Sequence, residues 1–158
     1  MEIIDVFLSR PNWVADHIER QFGKFYPLLT EYGFNPRTIG NNVVPLSSPF
    51  QDVVNLMNKC RCSIVLGLPQ IRVTKGRLKG EEIIDSFSLP TEWNQIEAAI
   101  SIMLNKPTLM MLHKGVAARG LFYRGAANVF VHEFHTFGHE WIREMESKLV
   151  SLRESVCV

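Results

Sequence analysis

Short apolar runs alternate with helix-like segments along this chain, and this alternation limits the folds that it can adopt. The clearest run, residues 63–67, reads Ser-Ile-Val-Leu-Gly, without the regular polar alternation of a half-exposed strand. A continuous apolar run of this length is typical of a strand that is buried on both faces. Strands that alternate with amphipathic helices predict a parallel sheet with helices packed on both sides.

The same periodicities place the remaining elements. Predicted strands lie at 3–8, 34–39, 63–67, 108–112 and 128–131, and predicted helices at 13–32, 50–58, 91–104 and 137–152. Pro36 favours an edge position for the second strand, because proline cannot donate to a strand ladder. Residues 40–49 and 68–90 are predicted to be loops. We therefore predict an α/β three-layer sandwich with a five-stranded, mostly parallel sheet, formed by one domain over residues 1–158.

Composition argues against several classes of function. A formal charge of +1 lacks the basic excess of a duplex-binding protein, so we expect no nucleic-acid partner. No uncharged apolar run approaches the ~18 residues that span a bilayer, so we expect no membrane partner. The first residues lack the pattern of a signal peptide, and Cys60, Cys62 and Cys157 form no disulfide or zinc pattern. A cytoplasmic location is the expectation.

The segment at residues 91–97, Thr-Glu-Trp-Asn-Gln-Ile-Glu, begins an otherwise apolar helix. Trp93 and Glu97 are four residues apart and therefore share one helix face. Glu97 leads directly into apolar residues, where a carboxylate is costly to bury without a partner. Such a carboxylate is a candidate catalytic group. The alternative is an ordinary glutamate near a helix N-terminus, stabilised by the helix dipole by ~0.3–1 kcal/mol.

Two segments resemble motifs of TIR (Toll and interleukin receptor) domains. Residues 5–9, Asp-Val-Phe-Leu-Ser, resemble the family's first motif, a strand reading roughly Asp-x-Phe-Ile-Ser. Residues 91–97 are similar to Ser-x-Trp-Cys-x-x-Glu of the enzymatic members, with Thr91 replacing the serine and Asn94 the cysteine. Trp93 and Glu97 stand at the family's positions. The predicted order of elements also resembles the flavodoxin-like sheet of that family.

The resemblance implies an enzyme that cleaves or cyclises NAD, with Glu97 as the catalytic residue. It also implies a role in prokaryotic antiviral defence, either by producing a nucleotide signal for a downstream effector protein or by depleting NAD. Members of the family often complete the active site with loops from a neighbouring subunit, so we expect a homo-oligomer. NAD is then the substrate, and neither a cofactor nor a metal is expected.

Further candidate substrate contacts lie near the carboxyl ends of the strands, where parallel sheets bind ligands. Ser9 and Arg10 are expected to contact a diphosphate, since arginine suits bidentate phosphate binding, although Arg10 also fits a solvated surface position. Trp93 is expected to stack on the base or to cap its helix as an apolar group. Asn94 is expected to bind ribose or pyrophosphate or to act as a helix cap. Phe7 either lines the site or belongs to the core.

Two alternatives stay open. Nucleoside deoxyribosyltransferase-like proteins share the topology and also place a glutamate at the start of the corresponding helix. A resemblance to these proteins would imply a nucleoside or nucleotide N-glycosidase. They usually carry an acid after the third strand, where residues 67–70 read Gly-Leu-Pro-Gln, although Asp85 could substitute. A neutral base usually needs an acid to leave and cationic nicotinamide does not, so a single carboxylate favours NAD. Weak retention of the other TIR motifs keeps a non-enzymatic nucleotide-binding or adaptor module open.

The histidines His132, His135 and His139 lie close together in sequence. The HExxH spacing of zinc enzymes is absent from this region. We therefore interpret them as polar residues around a helix start rather than as metal ligands.

Overall fold

The computed structural model describes residues 2–135 and 139–157, apart from the side chains of residues 139, 140 and 142. The strands are β1 (Ile4–Ser9), β2 (Phe34–Arg37), β3 (Cys62–Gly67), β4 (Ile71–Val73), β5 (Arg77–Leu78), β6 (Glu81–Glu82), β7 (Phe87–Leu89), β8 (Thr108–His113) and β9 (Val131–Phe134). The helices are α1 (Asp16–Glu31), α2 (Pro49–Lys59), α3 (Glu92–Met103) and α4 (His139–Val156), with a short 3-10 turn at Gly120–Phe122.

The central sheet has five strands in the order β2-β1-β3-β8-β9, and every neighbouring pair is parallel. This confirms the predicted α/β three-layer sandwich with its five-stranded sheet. β2 lies at one edge, as Pro36 predicted, and it is shorter than expected because it ends at Arg37. The strand order runs outward in both directions from β1 and β3, as it does in flavodoxin-like folds.

Successive residues of the strands point to opposite faces and build two separate apolar layers. Val6 and Leu8 of β1 pack in a cluster with α1 and α4, which contribute Phe25 and Trp141 among others. Phe7, between them in sequence, points the other way and packs against α2. The sheet is therefore covered on both faces, and the helices on the α2 and α3 side lie next to the carboxyl end of β1.

The last strand and the closing helix differ from their predicted bounds. The strand was predicted at 128–131, but β9 covers Val131–Phe134 and pairs with Met110–His113 of β8. Phe130 is 72% exposed, so it does not serve as a core residue, whereas Phe134 is buried. Helix α4 continues four residues beyond the predicted end, to Val156, which remains packed in the core. Residues 136–138, which include part of the predicted helix start, lie outside the described residues.

The segment at residues 68–90 was predicted to be a loop, and this prediction was incomplete. It contains two small antiparallel pairs, β4 with β7 and β5 with β6. Strands of two or three residues are too short to show a periodic apolar pattern, so the sequence alone gave no sign of them. The outer pair brings the chain back to the start of α3.

None of the helices in the described part of the chain combines the length and apolar character required to cross a bilayer.

Candidate active site

A cavity of about 280 Å³ lies beyond the carboxyl end of β1. It is next to the point where the chain leaves β1 and β3 toward opposite edges of the sheet, which is the usual ligand site of open parallel sheets. Residues from four segments line it: Arg10, Pro11, Asn12, Thr38, Ile39, Pro49, Val53, Thr91, Trp93 and Glu97. The first turn of α2 and the first turns of α3 are therefore among its walls.

Glu97 faces this cavity from the second turn of α3 and is only partly exposed. Burial raises the pKa of its carboxyl from the ordinary 4.5 to about 7, and the Ser9 side chain offsets part of that rise. Glu97 is the only carboxylate among the described residues that line the cavity. Near neutral pH this group therefore exists in both protonation states, which suits a catalytic carboxyl.

Ser9, Asn94 and Thr91 form a hydrogen-bonded chain beside Glu97. Asn94 Nδ2 donates to Ser9 Oγ at 2.8 Å, and Thr91 Oγ1 donates to Asn94 Oδ1 at 3.0 Å. Thr91 also caps α3, because its Oγ1 accepts from the Asn94 backbone N–H at 3.2 Å. Ser9 and Asn94 are each 1% exposed. Most of their hydrogen-bonding capacity is therefore used within this group of residues, and little is left for direct contact with ribose or phosphate.

Trp93 lies on the cavity wall with 38% of its surface exposed. A ring that is half buried and half open can stack on a flat ligand without a large rearrangement. The structure therefore brings together Trp93 and Glu97, which the sequence placed on one helix face.

Arg10 lines the cavity, but its guanidinium is held inside the protein. Its Nη2 pairs with Glu19 Oε2 at 2.8 Å, its Nε donates to the Pro11 carbonyl at 3.0 Å, and its Cζ lies 3.9 Å from the centroid of the Phe22 ring. Tyr26 accepts a further, longer hydrogen bond from it. Arg10 is 6% exposed, so the solvated surface position considered from the sequence is wrong. Its expected contact with a diphosphate stays a prediction.

Phe7 does not line the cavity. It is 1% exposed and packs with Val53, Leu56 and Met57 in the core between the sheet and α2. Of the two positions considered from the sequence, the structure shows the core one. Gly67, at the end of β3, does not line the cavity either. A Cβ added at this position would point into the core and lie 2.8 Å from Leu112 Cδ1.

Thr38, Asn12 and Pro49 line the cavity although the sequence did not single them out. Thr38 Oγ1 donates to the Leu8 carbonyl at 2.8 Å, and its backbone N–H donates to Asn42 Oδ1 at 2.8 Å. The available signal was their position after β1 and β2 and at the start of α2. Parallel topology brings all three places to the same edge of the sheet.

The loop before α2 is fixed by Asp52. Its carboxylate accepts hydrogen bonds from the backbone N–H groups of Leu46 and Ser47 and from the Ser47 hydroxyl, all between 2.8 and 3.1 Å. Those bonds hold the pKa of Asp52 below its ordinary value. This loop is therefore held in place close to the start of α2, which forms one wall of the cavity.

Neither the candidate second acid nor His132 and His135 contribute to the cavity, and the side chain of His139 lies outside the described part of the structure. Asp85 lies on the wall of a separate depression beside β5 and β6. His132 belongs to β9 and His135 follows it, so the predicted helix start is not their place. Within residues 2–135 and 139–157, no cluster of three metal-binding side chains occurs among those described.

The chain matches no protein-family model. No curated protein matches it in sequence either. Among solved structures it is similar to the CMP N-glycosidase BcmB of Clostridium botulinum, with a TM-score of 0.59 and 14% sequence identity. The match covers 91% of this chain and 98% of that one, so the two share their fold over nearly their entire length.

Proposed function

We propose that this protein is a nucleotide N-glycosidase that uses Glu97 as its catalytic carboxylate. The observation that carries the proposal is the partly exposed Glu97 at the wall of a cavity beyond β1, where burial raises its pKa to about 7. The fold shared with BcmB, which is a CMP N-glycosidase, supports the same reaction class. A nucleotide N-glycosidase was the alternative hypothesis from the sequence, and because of this support we now prefer it to NAD cleavage.

The proposed reaction breaks the bond between C1′ of the ribose and the base nitrogen. The base departs with the bonding electrons while positive charge develops on C1′ and the ring oxygen. Ionised Glu97 stabilises that charge. Water then supplies a hydroxyl to C1′ and a proton to the base, so that the products are a free base and a ribose phosphate.

The size of the cavity favours a mononucleotide. About 280 Å³ is slightly below the range of about 300–1,000 Å³ that is common for pockets of drug-sized ligands. A dinucleotide such as NAD would leave one of its two halves outside. A single base and ribose match the enclosed space better.

The cavity walls also offer groups for the two ends of a nucleotide. The N-terminus of α2 at Pro49 and that of α3 beside Thr91 are both on the wall, and helix N-termini favour anions. The Asn12 side chain lines the same space. We infer that the phosphate lies toward α2 and that Trp93 stacks on the base.

NAD remains a second candidate because of one observation. The described cavity walls hold no second carboxylate that could protonate a neutral base. Cationic nicotinamide needs no such proton, and it is the leaving group in NAD and in nicotinamide mononucleotide. Neutral bases and nicotinamide must therefore be compared directly.

The test is to incubate the protein with nucleoside 5′-monophosphates, the matching nucleosides, nicotinamide mononucleotide and NAD, and to follow base release by chromatography. Glu97→Gln keeps the shape of the side chain and removes its charge. Glu92→Gln, one turn earlier on the exposed surface of α3, is the matched control. Several protein concentrations show whether the expected homo-oligomer is needed for activity.

We expect base release from monophosphates, retained in Glu92→Gln and reduced at least about 100-fold in Glu97→Gln. Release from NAD but not from monophosphates would replace the substrate and keep the role of Glu97. No base release from any of the four substrate classes at any concentration would overturn the enzyme proposal and favour a binding or adaptor module.

A further inference from the structure

We propose that Asn94 is a positioning residue that acts on Glu97 through Ser9: its side-chain amide leaves the single proton of the Ser9 hydroxyl free to point at the Glu97 carboxylate. This inference deepens the proposed function and rests on it for its catalytic meaning. The geometry itself stands without any substrate.

The direction of the hydrogen bonds follows from counting protons. Thr91 Oγ1 accepts from the Asn94 backbone N–H, so its own proton is available for Asn94 Oδ1, 3.0 Å away. That contact fixes the amide with its oxygen toward Thr91 and its NH2 group toward Ser9. Asn94 Nδ2 then donates to Ser9 Oγ at 2.8 Å.

A hydroxyl that accepts from Asn94 retains one proton to donate. Glu97 follows Asn94 by three residues on α3 and so lies beside it on the helix surface, and the Ser9 side chain favours the charged form of its carboxyl. If the Asn94 amide were reversed, its oxygen would face Ser9 and compete for that proton. Thr91, at the helix cap, therefore determines which way a proton points two hydrogen bonds away.

Burial restricts the hydrogen bonds that Ser9 and Asn94 can form. Ser9 and Asn94 are both 1% exposed, so water has little access to take the place of either donor. A hydrogen bond to a charged group is stronger than one to a neutral group, and an unpaired buried donor is costly. The Ser9 hydroxyl consequently has one favourable orientation, toward Glu97.

Charged groups on neighbouring elements do not explain the state of Glu97. Arg10 on the cavity wall is paired with Glu19, and Asp5 on β1 is paired with Arg37. The other titratable or charged residues on the elements that chiefly contact α3 are Asp52 and Lys59 of α2, Cys62 of β3 and His113 of β8, and the Arg119 carbonyl accepts a hydrogen bond from Gln95 of α3. The pKa of Glu97 responds to burial and to Ser9, with no charge–charge contribution from any of these residues.

The experiment measures the titration of Glu97 directly, without substrate. The protein is labelled with ¹³C at the glutamate side-chain carboxyl, and the Glu97 resonance is identified by its absence in Glu97→Gln. Its pH midpoint is then compared among the wild type, Ser9→Ala and Asn94→Asp. Ser101→Ala is the matched control, because it also removes a buried serine hydroxyl, one that lies within α3 and bonds Thr108 at 2.8 Å rather than acting on Glu97.

We expect Ser9→Ala to raise the midpoint by about one unit, because the carboxylate loses a donor. Asn94→Asp should raise it at least as much, because an ionised carboxylate draws the Ser9 proton to itself and adds a like charge. An aspartate in the first turn of α3 suits the helix dipole, so this variant should fold. Ser101→Ala should leave the midpoint unchanged.

The proposal is overturned if Ser9→Ala leaves the midpoint unmoved, or if Ser101→Ala moves it as far. It is also overturned if Asn94→Asp leaves it unmoved. Since the readout is a titration, its failure is separate from a failure to find a substrate. A shifted midpoint together with no base release would support the role of Asn94 and Ser9 in the titration of Glu97 and contradict the proposed enzymatic function.

Discussion

Asn94 Nδ2 lies 2.8 Å from Ser9 Oγ, although the two residues are 85 positions apart in sequence. This bond joins the carboxyl end of β1 to the first turn of α3, the two segments that carry the candidate motifs. Both side chains are buried, so the contact is shielded from competing water. It holds Glu97 and the end of β1 in a fixed relationship at the cavity.

Glu97→Gln should change the pH dependence of stability. In the folded protein the carboxyl stays protonated up to a pKa of about 7, whereas in the unfolded chain it ionises near 4.5. Unfolding therefore releases a proton between these values, and the free energy of unfolding falls as pH rises through that window. We expect the glutamine variant to exceed the wild type by about 3 kcal/mol at pH 8 and to match it near pH 4.

Urea unfolding at pH 4, 5, 6, 7 and 8 measures this difference. The exposed Glu92→Gln variant controls for the loss of one acidic residue from α3. A Glu97→Gln effect that is the same at every pH would mean that the native carboxyl titrates normally.

Trp93→Ala should weaken substrate binding more than the chemical step. The ring is 38% exposed on the cavity wall, and stacking of a base on an aromatic side chain is worth about 1–3 kcal/mol. We expect KM to rise about 10-fold or more, with Trp93→Phe closer to the wild type. Steady-state kinetics measures both constants. A lower kcat with unchanged KM would show that Trp93 does not hold the base.

Gly23→Ala should stabilise the protein. Gly23 lies within α1, and a Cβ added there would meet no atom within 4 Å beyond its chain neighbours and the backbone of its own helix. Alanine restricts the unfolded chain and suits a helix better than glycine by about 0.5–1 kcal/mol. Thermal and urea unfolding should show a gain in the free energy of unfolding of that size. A loss would indicate that the helix needs glycine one turn before Pro27.

Gly67→Ala should have the opposite effect. At the end of β3 an added Cβ would lie 2.8 Å from Leu112 Cδ1 and 2.9 Å from Phe122 Cζ. Overpacking of this kind typically costs about 1–3 kcal/mol. Compared with Gly23→Ala by the same unfolding measurement, the two identical substitutions should differ in sign. Equal stability of the two variants would show that the packing around β3 is loose.

The sequence predicted the architecture well where apolar runs are long. β1, β3 and β8 are buried on both faces, and their continuous runs were predicted within one residue at every end. β9 was misplaced by three residues because its polar residues, His132 and Glu133, interrupt the apolar pattern of an edge strand. The small strands between β3 and α3 could not be seen for lack of length.

The candidate site was predictable only in part. Spacing alone put Trp93 and Glu97 on one helix face, and both line the cavity. The environment of Arg10 depended on Glu19 and Phe22 of α1, contacts that no local pattern reveals. Asn94 was expected to bind substrate or cap the helix, whereas its partner is Ser9 on a distant strand.

In the proposed function, ionised Glu97 stabilises the positive charge that develops as the N-glycosidic bond breaks. The most direct measurement is kcat/KM for base release from a nucleoside 5′-monophosphate between pH 5 and 9, in the wild type and in Glu97→Gln. We predict a rise of about tenfold per pH unit at low pH, levelling off near pH 7, and at least a 100-fold lower and pH-independent rate in the variant. A Glu97→Gln protein that releases base at the wild-type rate would contradict the claim.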